Sequence, residues 1–197
     1  MRFTIALVAL ITGCGGGVNS DREAELAYIG LDGSIERALD LGMLGFSQAD
    51  SANIPSQQGV GDVSGTIVVT GQADQGSSDN KGLRLDVALA QYADVEDLDR
   101  DHDDDDDLYA TYGTAEGAPL FADLKLRDIP EGTYEGTYSG DVLLDGDLAG
   151  VLTLSLTLTG GLTSDGGAGV TRVADGSTVR GTVTNEGGGV YEVDITR

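Results

Sequence analysis

The chain is short of most side chains that make chemistry easy to recognise. Its 197 residues include one cysteine, one histidine, no tryptophan, three prolines and only 11 lysines and arginines. A lone cysteine, Cys14, excludes an internal disulfide. A lone histidine, His102, excludes a zinc site of the usual kind, which needs several His or Cys ligands. It also leaves Ser-His-Asp and Cys-His nucleophile systems no base but itself, and no serine sits in a G-x-S-x-G turn. Basic residues are outnumbered by 34 acidic ones, for a formal net charge of −23. A surface this negative repels nucleic acid and anionic headgroups, which argues against a nucleic-acid binder and favours cations or a basic protein as partners. Glycine, by contrast, is plentiful at 31 residues, as expected of a turn-rich β protein.

The chain opens MRFTIALVALITGCGGGVNSD. Arg2 supplies one positive charge, Phe3 to Ile11 is apolar apart from Thr4, and Gly13 is small. This is the plan of a secretory signal peptide over residues 1–13. The run is far shorter than the ~20 apolar residues that span a bilayer. Ile11-Thr12-Gly13-Cys14 resembles the lipobox of bacterial lipoproteins, in which an aliphatic residue and two small ones precede a cysteine. The resemblance covers the first 14 residues only. It implies that Cys14 becomes the mature N-terminus and is acylated on sulfur and nitrogen, anchoring the chain to a membrane. Each buried CH₂ contributes ~0.8 kcal/mol, so several chains hold where one binds only marginally. Gly15 in place of aspartate after the cysteine implies, by the same resemblance, an outer-membrane lipoprotein of the cell envelope, periplasmic or surface-exposed. Residues 14–20 then read as a flexible tether. Losing residues 1–13 removes only Arg2 of the charged residues, leaving 34 acidic against 10 basic side chains and a formal charge of −24.

Beyond the tether, Ser20 and Glu23 make a capping box, and residues 21–46 read as a helical segment. Asp32-Gly33 suggests a turn dividing it in two, with Ile35, Leu39 and Met43 forming the apolar stripe of the second half. Residues 47–61 are small and polar and read as a linker. From residue 62 the period changes to two. GLRLDVALAQY sets Leu83, Leu85, Val87 and Leu89 on one face, APLFADLKLRDI does the same with Leu120, Ala122, Leu124 and Leu126, and LAGVLTLSLTLTG places Leu152, Leu154, Leu156 and Leu158 against Thr and Ser. Asp145-Gly146 reads as a hairpin turn. Eight or nine strands at short spacing leave no room for helical crossovers. The expected fold is mainly β over 62–197: an antiparallel β-sandwich, with a partly closed β-barrel as the alternative, preceded by a short N-terminal helical segment.

Residues 94–107 form an acidic loop with ten carboxylates and one arginine, Arg100. Asp97, Asp99, Asp101, Asp103 and Asp105 have the oxygen chemistry for calcium or magnesium. No register completes an EF-hand: starting from Asp97, His102 stands where glycine is needed and Leu108 where the closing acid is needed. The expectation is a solvated loop that holds Ca²⁺ or Mg²⁺ weakly, and no other cofactor. Ser78-Asp79-Asn80-Lys81 spells both S-x-x-K and S-D-N, but the two overlap in one polar turn, and chance accounts for them. Tyr92, Tyr109, Tyr112, Tyr134 and Tyr138 are candidates for a modest binding face, or for structural tyrosines at sheet edges. No catalytic set emerges. The sequence therefore points to a lipid-anchored, non-catalytic structural or binding module. A small carrier of an apolar ligand in a β cleft is the alternative, and a carboxylate-based hydrolase a remote third.

Overall fold

A computed structural model describes residues 20–99, 108–167, 169–173 and 175–197. One helix, α1 (Asp21–Ser47), precedes ten strands: β1 (Gln57–Val60), β2 (Ser64–Ala73), β3 (Lys81–Ala93), β4 (Ala110–Gly113), β5 (Leu120–Arg127), β6 (Thr133–Gly146), β7 (Gly150–Ser164), β8 (Val170–Arg172), β9 (Thr178–Asn185) and β10 (Val190–Thr196). Every pairing among them is antiparallel. The fold is mainly β and fits a sandwich. The hydrogen-bonded path runs from β1 to β10 and is not closed by a pairing between those two strands, so among the described residues it is no barrel.

The strand alternation explains the arrangement. β5 alternates buried and exposed along its whole length, and β3 and β7 do so through their Leu and Val positions. One face of the sheet is therefore apolar and must be covered. α1 covers it, touching β1, β2 and β3 on one flank and β8, β9 and β10 on the other. Tyr28, Leu31, Ile35, Leu39 and Met43 are at most 2% exposed. The helix lies inside the fold, and the interior is filled by its side chains together with those of the sheet.

Three local expectations are corrected. The turn at Asp32-Gly33 does not form, and the helix runs unbroken through it. Asp32 accepts a hydrogen bond from the Tyr28 hydroxyl at 2.7 Å and pairs with Arg197. A Cβ at Gly33 would lie 2.7 Å from Asp94 Oδ2, so the glycine there serves close packing, not a turn. Part of the stretch read as linker is sheet, because Gln57–Val60 pairs with β2. The β6–β7 hairpin turns at Asp147-Leu148, two residues after Asp145-Gly146, because those two stay extended to pair with β4. Asp147 is held there by its N–H, which donates to the Tyr109 carbonyl at 2.9 Å, and by its carboxylate, which accepts the Tyr109 N–H at 3.0 Å.

Gly30 marks the closest approach of helix and sheet. A Cβ there would meet the Tyr112 hydroxyl at 2.2 Å and Leu98 Cδ2 at 2.4 Å. Tyr112 also donates to the Ala27 carbonyl at 2.9 Å, so the ring has no room to retreat. Gly30→Val is expected to lower unfolding free energy by about 2 kcal/mol or more, since overpacking outweighs the gain in helix propensity. At Gly42 the obstacle is a Leu85 methyl, which can rotate, and Gly42→Ala should cost less. Urea unfolding of the two variants checks the order.

Candidate functional site

On the exposed side of α1, charge, apolar surface and a groove coincide. A narrow stripe of α1 escapes burial: Gly33, Asp40 and Leu44 are exposed, and Glu36, Arg37 and Leu41 partly so. The helical period brings these onto one face. With Asp62 and Asp94 from the segments flanking β2 and β3, they line an open groove of about 580 Å³. Leu44 is 45% exposed, and Val60 of the adjoining β1 is 62% exposed.

Three arginines organise the groove. Arg37 holds Asp62 at 2.8 Å and lies 3.7 Å from Asp94. Asp94 is nearly buried and accepts two further bonds, from the Asp62 N–H at 3.0 Å and the Tyr92 hydroxyl at 2.6 Å. Arg172 on β8 pairs with Asp40 at 2.7 Å. Arg197, at the end of β10, bridges Asp32 and Glu36. The guanidiniums of Arg37, Arg172 and Arg197 are all raised above their ordinary value. Burial pulls each down, but the neighbouring carboxylates and the tyrosine oxygens beside them outweigh it. Burial, reinforced by Asp94, holds the Tyr92 phenol well above its ordinary value. These ties join α1 to both edges of the sheet. The carboxylates are engaged as ion-pair partners, which is binding and structural chemistry more than acid–base chemistry.

The expected site residues are distributed differently. Asp97 and Asp99 lie on the stem of the acidic loop, where Asp97 Oδ1 accepts the Asp99 N–H at 3.1 Å. Between them Leu98 is buried against Gly30, and its N–H closes the stem on the Leu108 carbonyl at 2.9 Å. Asp101, Asp103, Asp105 and His102 lie outside the described residues, as does Cys14 with the whole of 1–19. Among the described residues no group of three or more His, Cys, Asp or Glu side chains is placed to hold a metal ion. The tyrosines do not make a binding face. Tyr92, Tyr112, Tyr134 and Tyr138 are at most 2% exposed and point into the core, leaving Tyr109 partly exposed. Ser78 and Lys81 serve their turn: Ser78 Oγ accepts the Asn80 N–H at 3.1 Å, and the Lys81 ammonium donates to the Gly76 carbonyl at 2.6 Å.

Sequence reasoning missed the arginine-stapled groove. Its ion pairs join residues 132 and 165 positions apart. Comparison with protein families, curated proteins and solved structures gave no match. Among the described residues no helix is long and apolar enough to cross a membrane.

Proposed function

We propose that this is a lipid-anchored protein of the bacterial cell envelope, held in the outer membrane through Cys14, whose β domain is a non-catalytic structural or binding module. The observation that carries the reading is the join between tether and core. Ser20 caps α1 six residues after Cys14, and α1 passes directly into the interior of the fold. Six residues reach about 20 Å at most, so an acylated Cys14 would keep the domain close to the bilayer surface. The acidic segment 94–107 would offer that environment a loosely held Ca²⁺ or Mg²⁺, or an attachment for a basic partner. The carrier reading loses support because the space between helix and sheet holds side chains such as Tyr28, Ile35, Leu85 and Tyr138. The hydrolase reading loses support because the groove's carboxylates are tied to arginines.

Cys14→Ser should convert a membrane-retained product into one recovered in the soluble fraction. Mass spectrometry of the native protein should find acyl chains on Cys14. A Ser variant still fully retained by the membrane would refute the anchor.

A further inference from the structure

The sheet ends in an open edge beside the groove. β1 pairs with β2 alone. Its register places Gly59 opposite Ile67 and Val60 opposite Thr66. One step further along the same register, the Gly61 N–H donates to the Gly65 carbonyl at 3.2 Å. Opposed residues in an antiparallel pair alternate between hydrogen-bonded and non-hydrogen-bonded. The Gly61 N–H is aimed at β2, so by alternation those of Gly59 and Gln57 are aimed there too. The N–H and C=O groups of Gln58 and Val60 then point away from β2, off the edge of the sheet.

What borders that edge is specific. The inner face of β1 rests on α1, where a Cβ on Gly59 would lie 3.3 Å from Arg37 Cδ and 3.4 Å from Leu41 Cδ1. The groove therefore runs alongside β1 on the exposed stripe of the helix. Leu41 and Leu44 give it an apolar floor, and Glu36, Asp40 and Asp62 give it an acidic rim. These carboxylates have arginine partners, but the pairs are turned so that the negative ends face water. Side-chain exposure is 72% for Asp62 against 33% for Arg37, and 57% for Asp40 against 8% for Arg172. An edge strand normally carries some device against pairing, such as a charge, a proline or a covering loop. Gln57-Gln58-Gly59-Val60 has no charge and no proline, and its shortness, four residues, is the one such device it carries.

We propose that an extended, basic segment of a partner protein adds to β1 as the next strand and lies over the groove on α1. Backbone bonds to Gln58 and Val60 would give affinity, as in other cases of strand addition. Alternating basic and apolar side chains would give specificity, the basic ones reaching Asp40 and Asp62 and the apolar ones Leu41 and Leu44. A second copy of this chain fits poorly, because two surfaces of charge −23 repel each other. The proposal rests on the domain being a binding module and not on its lipid anchor.

The test uses the full chain in detergent with an eight-residue peptide of alternating Lys and Val as probe, and its Glu-Val counterpart as control. The Lys-Val peptide should bind and should slow amide hydrogen exchange at Gln58 and Val60. Val60→Pro removes an N–H outside the β1–β2 ladder, so it should keep the thermal melt while weakening binding at least tenfold. Asp62→Asn and Leu44→Ser should each weaken it several-fold. Equal binding by Val60→Pro, equal binding of the Glu-Val peptide, or no binding of the Lys-Val peptide would overturn the proposal. So would sedimentation showing that β1 mediates self-association. The acylation state of Cys14, read by mass on the same sample, separates failure of the anchor from failure of this interface.

Discussion

Raised through about pH 11, the protein should unfold cooperatively, well before its buried phenols would ionise in the folded state. Burial pushes Tyr28, Tyr92, Tyr112 and Tyr138 far above the ordinary tyrosine value. Asp32 adds to the effect at Tyr28, Asp94 at Tyr92, and the Tyr92 ring at Tyr138. All four are at most 1% exposed. A group whose folded pKa is raised contributes stability that is complete below the unfolded value, about 10 for tyrosine, and is lost as pH rises toward the folded value. Each such phenol costs roughly 1.4 kcal/mol per pH unit in that window, and four together about 5 kcal/mol per unit. A domain of typical stability, about 5–15 kcal/mol, is exhausted between about pH 11 and about pH 13. Phenolate absorbance should show a jump that coincides with loss of β-sheet circular dichroism. A smooth rise of all seven near pH 10, with the sheet intact, would mean that these hydroxyls are not enclosed as described.

The strands were easy to read in the sequence because one physical rule governs them. A sheet wet on one side and covered on the other imposes period two. Leu152, Leu154, Leu156 and Leu158 are all at most 2% exposed, while the threonines and serine between them are exposed. The helix was harder because glycine has two uses that look identical in one dimension. Asp-Gly at 32–33 has the local chemistry of a turn. In the fold, Gly30, Gly33 and Gly42 are places where a side chain of the sheet or its connecting segments comes within contact distance of the helix backbone. Tertiary packing decides between the two uses. β1 was hidden for the opposite reason: Gln57-Gln58-Gly59-Val60 has weak strand preference and is held by β2, whose Ile67 and Val69 are buried beneath it. The groove was illegible because its members come from α1, the approach to β2, the exit of β3, β8 and the last residue of the chain. No spacing rule connects those positions.

Removing α1 should abolish folding, although 62–197 reads as a self-contained β domain. A chain beginning at residue 48 loses Tyr28, Leu31, Ile35, Leu39 and Met43, each at most 2% exposed. At about 1.5–3 kcal/mol per buried side chain, the loss is about 10 kcal/mol, comparable to the whole stability of an ordinary domain. It also uncovers the apolar face of the sheet, so the fragment is expected to aggregate. A chain beginning at residue 20 keeps the helix and should melt like the intact protein. A folded, monomeric 48–197 fragment would show that the helix is an accessory to the sheet. The outcome bears on the anchor as well. A tether joined to a peripheral helix would let that helix peel away under load. Here the first residues beyond the tether are already bound, since Asn185 Nδ2 donates to the Ser20 carbonyl at 3.3 Å and the Val190 N–H donates to Asp21 at 2.9 Å. Arg197, Arg37 and Arg172 then fasten the helix to β10, to the flanks of β2 and β3, and to β8 in turn. If Cys14 is acylated as proposed, a pull there would act on the core of the domain and not on a peripheral helix.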